Sequence, residues 1–238
     1  MTWQSNYYVM FAVLYNANMH DYNQTGKKMK FFFFYSSDER QEQLIEVISR
    51  CFGDIIHIRS KQSLQDNLNR YPQAIVISPG RPAEHVENFF GIYKSYPYTL
   101  FVYISNYFLP PDTSISSILK NVILLKPIMC SIILKDIVNT YPLLSRRRYF
   151  DSEHPVLKDD YSGFIMKVNY KTKVKLMSDR HPKHVKVILR LLLNEYDTET
   201  IAQNVGTGIR QVWLTEQALK KRYKIPENMS LHEALFLK

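Results

Sequence analysis

The sequence predicts an α/β domain, built on a five-stranded and doubly wound parallel sheet, followed by an all-α domain of four helices. Three observations predict this. Short, almost uninterrupted apolar runs alternate with amphipathic stretches over residues 30–140, the pattern of strands buried on both faces. From residue 181 onward the apolar period becomes helical and is broken by a glycine turn, Gly206-Thr207-Gly208. The net charge of +9 is also split, with +7 in residues 143–238 and +2 in residues 1–142. A basic carboxyl-terminal half suits an anionic partner, most commonly nucleic acid.

The elements follow in order. Residues 1–28 are rich in Tyr, Asn and Met without a period and are expected to be an irregular extension. Residues 30–35 (KFFFFY) form the first strand, ending at Ser36, Ser37 and Asp38, which can cap a helix. Leu44, Ile45, Ile48 and Phe52 then mark one helical face. Residues 55–58 are the second strand, 63–69 a short helix, 74–77 the third strand and 82–93 a further helix. Residues 99–104 and 122–125 are the fourth and fifth strands, and 129–139 the closing helix. A helix between these last two strands is implied by the count of five β/α units, but no residue range is assigned to it.

Residues 142–178 are assigned to a linker. It contains Arg146, Arg147 and Arg148, suited to phosphates or to simple solvation. Partial alternation at Phe164, Met166, Val168 and Tyr170 predicts a short extended piece. Beyond it, Val185, Ile188, Leu189 and Leu192 share a helical face. Asp197 can cap a helix over 198–205, and a third helix spans 209–223 with Val212, Leu219 and Tyr223 inward. Pro226 ends it, and Ser230 caps a last helix over 231–237.

Several function classes are disfavoured. No glycine-rich phosphate loop, nucleophile motif or metal-spaced histidine pair appears, so neither catalytic residues, a metal nor a cofactor is expected, and the chain is not read as an enzyme. His181 and His184 lie three apart without acidic or cysteine companions. Cys51 and Cys130 form no CxxC pair, which fits a reducing, cytoplasmic setting. No apolar run approaches the roughly 20 residues of a spanning helix, so no membrane association is expected. The first 28 residues do not resemble a signal peptide.

Five β/α units over residues 30–140, with Lys126-Pro127 after the fifth strand, resemble the receiver domain of bacterial response regulators. The resemblance implies a domain over 29–141 in which Lys126 reaches a phosphoryl group, Pro127 shapes the turn and Ser105 holds the family's Ser/Thr position. The chain departs from the family where the chemistry lies. Tyr35, Ser36 and Ser37 replace the acidic pair, Asp38 comes slightly late, and Ser78 stands in place of the phosphoacceptor aspartate. Serine cannot form an acyl phosphate, and one carboxylate is a poor magnesium site. Asp38, Ser78, Ser105 and Lys126 thus make a degenerate receiver pocket, and phosphorylation-independent action is expected. Lys126 is left to pair with Asp38, to be solvated, or to bind a small anion.

Residues 188–192 (ILRLL), Thr200-Ile201-Ala202, Val205-Gly206, Val212 and 219–223 (LKKRY) resemble the LuxR-type helix-turn-helix, over roughly residues 179–238. Glu195 stands where the family commonly has glycine, Thr215-Glu216 where it has His-Arg, and Trp213 and Leu214 where lysine is frequent. By helical spacing Arg210, Gln211, Trp213, Leu214 and Gln217 would face the major groove, with Lys220, Lys221 and Arg222 on phosphates. Glu216 would repel a nearby phosphate.

Together the resemblances imply a bacterial DNA-binding transcription regulator. Its partners would be double-stranded DNA and a second copy or another LuxR-type regulator. Proteins of this kind often control surface structures such as fimbriae or capsule, or virulence genes. An alternative from another class is an anti-activator that sequesters a LuxR-type partner through Trp213 and Leu214 and binds little DNA itself.

Overall fold

The computed structural model describes residues 30–34, 55–130, 133, 136 and 158–238. Outside the described residues lie the extension 1–28, Asp38, the expected helix carrying Leu44 to Phe52, Cys51, most of the expected helix 129–139 and the arginine run 146–148.

Short apolar segments build the sheet. Strands β1 (Phe31–Phe34), β2 (Ile55–Ile58), β3 (Ile75–Pro79), β4 (Leu100–Ile104) and β5 (Val122–Leu125) are all parallel, in the order β2-β1-β3-β4-β5. Alternation divides their side chains between two layers. Phe32, Val76, Phe101, Tyr103 and Val122 join one core; Phe31, Phe33, Ile75, Ile77, Val102 and Ile104 join the other. A slip of one residue would exchange the two sets, so burial on both faces fixes the register.

Helices α1 (Lys61–Arg70), α2 (Pro82–Ser95) and α3 (Pro110–Ile118) contribute to the first layer through Leu64, Leu68, Phe89, Phe90, Tyr93 and Ile115. The hydroxyls of Tyr93 and Tyr103, both fully buried, are hydrogen-bonded to each other, so neither is left unsatisfied. Burial pushes both phenols above their ordinary range.

Helix α3 is the element the sequence pattern does not mark. Ser114, Ser116 and Ser117 dilute its apolar stripe, leaving Ile115 as its one fully buried aliphatic residue. Its start is nevertheless well specified. Pro110 and Pro111 occupy the first turn, where a missing N–H costs nothing, and Asp112 accepts from the Leu109 N–H at 2.7 Å.

The largest correction concerns the stretch expected to be extended. Residues Tyr161–Ser178 form an 18-residue helix, α4, with Asp160 accepting from the Gly163 N–H at 2.8 Å as its cap. Phe164, Val168, Thr172 and Leu176 make its buried stripe at spacing four, whereas Met166 and Tyr170 lie on the opposite, exposed face. The apparent alternation arose from adding these two faces together. Thr172 conceals the stripe in the sequence, but its hydroxyl is hydrogen-bonded to that of Ser114 at 2.8 Å. A polar residue can therefore continue an otherwise apolar face.

Helices α5 (Lys183–Leu192), α6 (Thr198–Val205), α7 (Ile209–Tyr223) and α8 (Leu231–Leu235) complete the chain. Leu176 of α4 packs with Leu189, Leu193, Leu219, Ile225 and Leu231, while Ile188, Ile201, Ala202 and Val212 form an adjoining core. Helix α8 stops short of the expected residue 237. There the Asn169 amide captures both the N–H and the carbonyl of Leu237, each at 2.9 Å.

Glu195 follows α5 with φ +60°, a left-handed conformation that a side chain disfavours. Its carboxylate lies 3.1 Å from the His232 Nδ1. Glu195→Gly is expected to raise thermal stability by about 0.5–1 kcal/mol, since relief of backbone strain exceeds the worth of one polar contact made by a largely exposed carboxylate. A lower melting temperature for the variant would show that the His232 contact dominates.

Candidate nucleic-acid interface

Two local devices aim α7. Asp197 caps α6 by accepting from both the N–H and the hydroxyl of Thr200, at 2.8 Å each, and these bonds hold its carboxyl below the usual range. Gly206 then closes α6 in the left-handed region, with φ +68° and ψ +39°. A Cβ there would meet nothing within 4 Å, so the need for glycine is conformational rather than steric. Gly208 has φ −78° and open space, so its backbone does not demand glycine.

Helix α7 buries Val212, Thr215 and Leu219, with the Thr215 hydroxyl donating to the Gln211 carbonyl at 2.8 Å. Arg210, Trp213, Leu214, Gln217 and Lys221 follow one another along the opposite face at helical spacing. All are exposed except Gln217, which is half-buried, and Gln211 stands exposed beside them. Trp213 and Leu214 are 52% and 45% exposed and adjacent, so they place apolar surface on this face.

Lys220 departs from the expected phosphate-contacting position. It is buried, and its Nζ lies 3.3 Å from Glu216 Oε1. The pairing also neutralises the acidic residue that would repel a phosphate. Arg222 is exposed but turned toward the start of α5. Its Nη1 donates to the Arg180 carbonyl at 3.2 Å, and its Nη2 lies 4.0 Å from Asp179. Arg210 and Lys221 are thus the cations that share the exposed face. His181 lies 2.8 Å from the Tyr223 hydroxyl, in a contact within the helical half.

Ser78, Ser105 and Lys126 stand at the carboxyl ends of β3, β4 and β5, where parallel sheets place their sites. Ser78 is buried, its hydroxyl donating weakly to the Pro79 carbonyl at 3.4 Å. Ser105 Oγ accepts from the Tyr107 N–H at 3.5 Å, and Lys126 is exposed. Asp38 lies outside the described residues.

The same edge carries a charged cluster for which the sequence has no periodic signal. Arg81 Nε donates to Glu84 Oε1 at 2.8 Å, its Nη1 lies 3.8 Å from Asp112, and its guanidinium covers the Tyr107 ring at 5.2 Å. Asp112 also accepts from the Ala83 N–H at 3.1 Å, which ties α2 to α3. These residues lie some 30 positions apart without a periodic signal; the Pro-Pro-Asp start of α3 was the available clue. Among the described residues no group of three or more His, Cys, Asp or Glu side chains is placed to hold a metal ion. No described helix is long and apolar enough to cross a membrane.

Burial raises the Asp112 carboxyl to about 6, partly opposed by Arg81. Between pH 4 and 6 the folded protein therefore holds this proton more tightly than the unfolded chain. Asp112 makes the fold less stable as pH rises through that window and more stable as it falls. Relative to Asp112→Asn, the wild type is expected to gain about 1 kcal/mol between pH 7 and pH 5 in urea unfolding. Parallel pH profiles for the two proteins would contradict the shift.

No protein-family model matches the sequence, and neither does any curated protein. Among solved structures, full-length FixJ from B. japonicum is 11% identical, with 88% of this chain and 95% of that one covered at a TM-score of 0.38. The RcsB response regulator of Salmonella typhimurium is 12% identical, covering 86% and 96% at a TM-score of 0.39. The response regulator StyR is 13% identical, covering 84% and 94% at 0.35. Likeness at this level fixes neither a family nor a function.

Proposed function

We propose that this chain is a DNA-binding transcription regulator of the LuxR type, with α7 as its recognition helix. One observation carries the reading. After the left-handed Gly206 turn, α7 buries Val212, Thr215 and Leu219 and leaves Arg210, Gln211, Gln217 and Lys221 accessible on a basic half of the chain. Gln and Arg offer paired hydrogen bonds to base edges, Trp213 and Leu214 suit thymine methyl groups, and Lys221 suits a phosphate. The partner is double-stranded DNA, bound by a homodimer or by a heterodimer with another LuxR-type regulator. Control of fimbriae, capsule or virulence genes is part of the proposal and rests on the sequence resemblance alone.

DNA selected from a random pool by the wild-type chain provides the probe. Affinity for it is expected to fall with salt at a logarithmic slope of roughly −2 or steeper per protomer, about −0.9 for each phosphate neutralised. Lys221→Ala should weaken all sequences alike and flatten the slope, whereas Gln217→Ala should change the selected motif at a cost of about 1–3 kcal/mol. Recovery of no sequence from the pool would remove the proposal. The exposure of Trp213 and Leu214 favours a second reading, an anti-activator that sequesters a LuxR-type partner. A stable complex with such a regulator, lost in Trp213→Ala and formed without DNA, would select it.

The front half acts, in this proposal, without phosphoryl transfer, because Ser78 offers a hydroxyl where an acyl phosphate needs a carboxylate. Incubation with acetyl phosphate and Mg2+ is expected to leave the intact mass unchanged. A phosphorylated, acid-stable Ser78 would overturn this part of the reading and leave DNA recognition standing.

A further inference from the structure

A cleft of about 290 Å3 opens where the carboxyl ends of β4 and β5 meet the carboxyl ends of α4 and α7. Phe108, Leu109 and Leu176 supply apolar lining, and Tyr107 and Tyr223 add aromatic rings. Among the described residues four cations also line it: Lys126 after β5, Lys175 on α4, and Arg222 and Lys224 at the end of α7. Asp179 is the one carboxylate among the described lining residues. It already accepts from the Tyr223 hydroxyl at 2.9 Å and faces Arg222.

The described lining therefore carries an excess of positive charge in a small space. Like charges gathered on a partly apolar surface repel one another, and an anion that enters relieves the repulsion. Lys175 is held in place by donating to Thr113 Oγ1 at 2.9 Å, and burial lowers its pKa. Lys126 and Lys224 are both exposed. Lysines predominate over arginine, so the cleft offers separately placed ammonium groups rather than a planar fork for one carboxylate. That arrangement suits the three oxygens of a phosphate monoester. The volume lies near the lower end for small-molecule sites, about 300 Å3, and the aromatic and leucine lining suits a ring.

We propose that this cleft binds a small phosphorylated ring compound of nucleoside-monophosphate size, its phosphate met by Lys126, Lys175 and Lys224 and its ring by Phe108 and Leu176. The cleft is lined by both halves of the chain, so the compound bridges them and favours the arrangement seen here. It supplies the receiver-like half with an input that needs no aspartyl phosphate. The binding claim is independent of DNA recognition; its regulatory consequence rests on the function proposed above.

The test is calorimetric titration of the full chain with AMP, GMP and pyridoxal 5′-phosphate, with adenosine and inorganic phosphate as the separated parts. At least one ring phosphate is expected to bind more tightly than either adenosine or inorganic phosphate. The Lys126→Gln/Lys224→Gln double variant, with an unchanged melting temperature in the absence of additive, should weaken that binding by about tenfold or more. Lack of binding by all three ring phosphates would overturn the proposal, as would equal binding by the variant. If the double variant weakens only DNA binding and no ring phosphate binds, the cleft is a nucleic-acid contact and the proposal fails. If a ring phosphate binds but no DNA sequence is selected, the site stands and the DNA reading falls.

Discussion

Phe164, Val168, Thr172 and Leu176 lie along one stripe of α4, and both halves of the chain are built against it. The amino-terminal end of that stripe enters the layer under the sheet, where the Phe164 and Phe90 rings lie 5.0 Å apart. Its carboxyl-terminal end, Leu176, enters the core of the helical half. Phe164, Val168 and Leu176 are fully buried, each worth roughly 1.5–3 kcal/mol. Polar contacts fix the rotation of α4 between the two: Thr172 to Ser114, Lys175 to Thr113, and Asn169 to Leu237. Helix α4 is thus packed into both cores, with side chains on its one stripe shared between them. A change at the carboxyl edge of the sheet, where Thr113 sits, has a short physical route to the end of α7.

Placement of α7 depends on local backbone chemistry as much as on packing. Gly206 supplies the left-handed residue after α6 without strain, and Glu195 occupies a similar conformation after α5 with a side chain present. Electrostatics then sort the basic residues of α7. Lys220 turns inward to Glu216, Arg222 turns to Asp179 and the Arg180 carbonyl, and Arg210 and Lys221 remain on the exposed face. Simple charge counting along the helix overstates the cations on its exposed face. The exposed face mixes hydrogen-bonding and apolar groups.

Legibility in the sequence tracked the physics of each element. The parallel strands were readable because burial on both faces makes them almost wholly apolar, and α5 to α7 because single-sided burial leaves a clean helical period. Caps at Asp197 and Ser230 were readable from residue type alone. Helix α3 was hidden because serines interrupt its stripe, and α4 because Thr172 stands within its buried face while Met166 and Tyr170 decorate the other. At the candidate interface, exposure of Arg210, Gln211, Trp213, Leu214 and Lys221 followed from spacing, but the inward pairing of Lys220 did not. The Arg81–Asp112 cluster and the cationic cleft are assembled by tertiary contacts between distant segments, which no local pattern records.

In the proposed function α7 is the surface that meets DNA, carried on a framework into which α4 packs at both ends. Hydrogen–deuterium exchange of the full chain, with and without DNA selected by the chain from a random pool, addresses this most directly. The account predicts slowed exchange concentrated in residues 209–223 and the preceding turn, with the sheet strands unchanged. Bound DNA that leaves 209–223 as exchangeable as in the free chain, while protecting another surface, would contradict it.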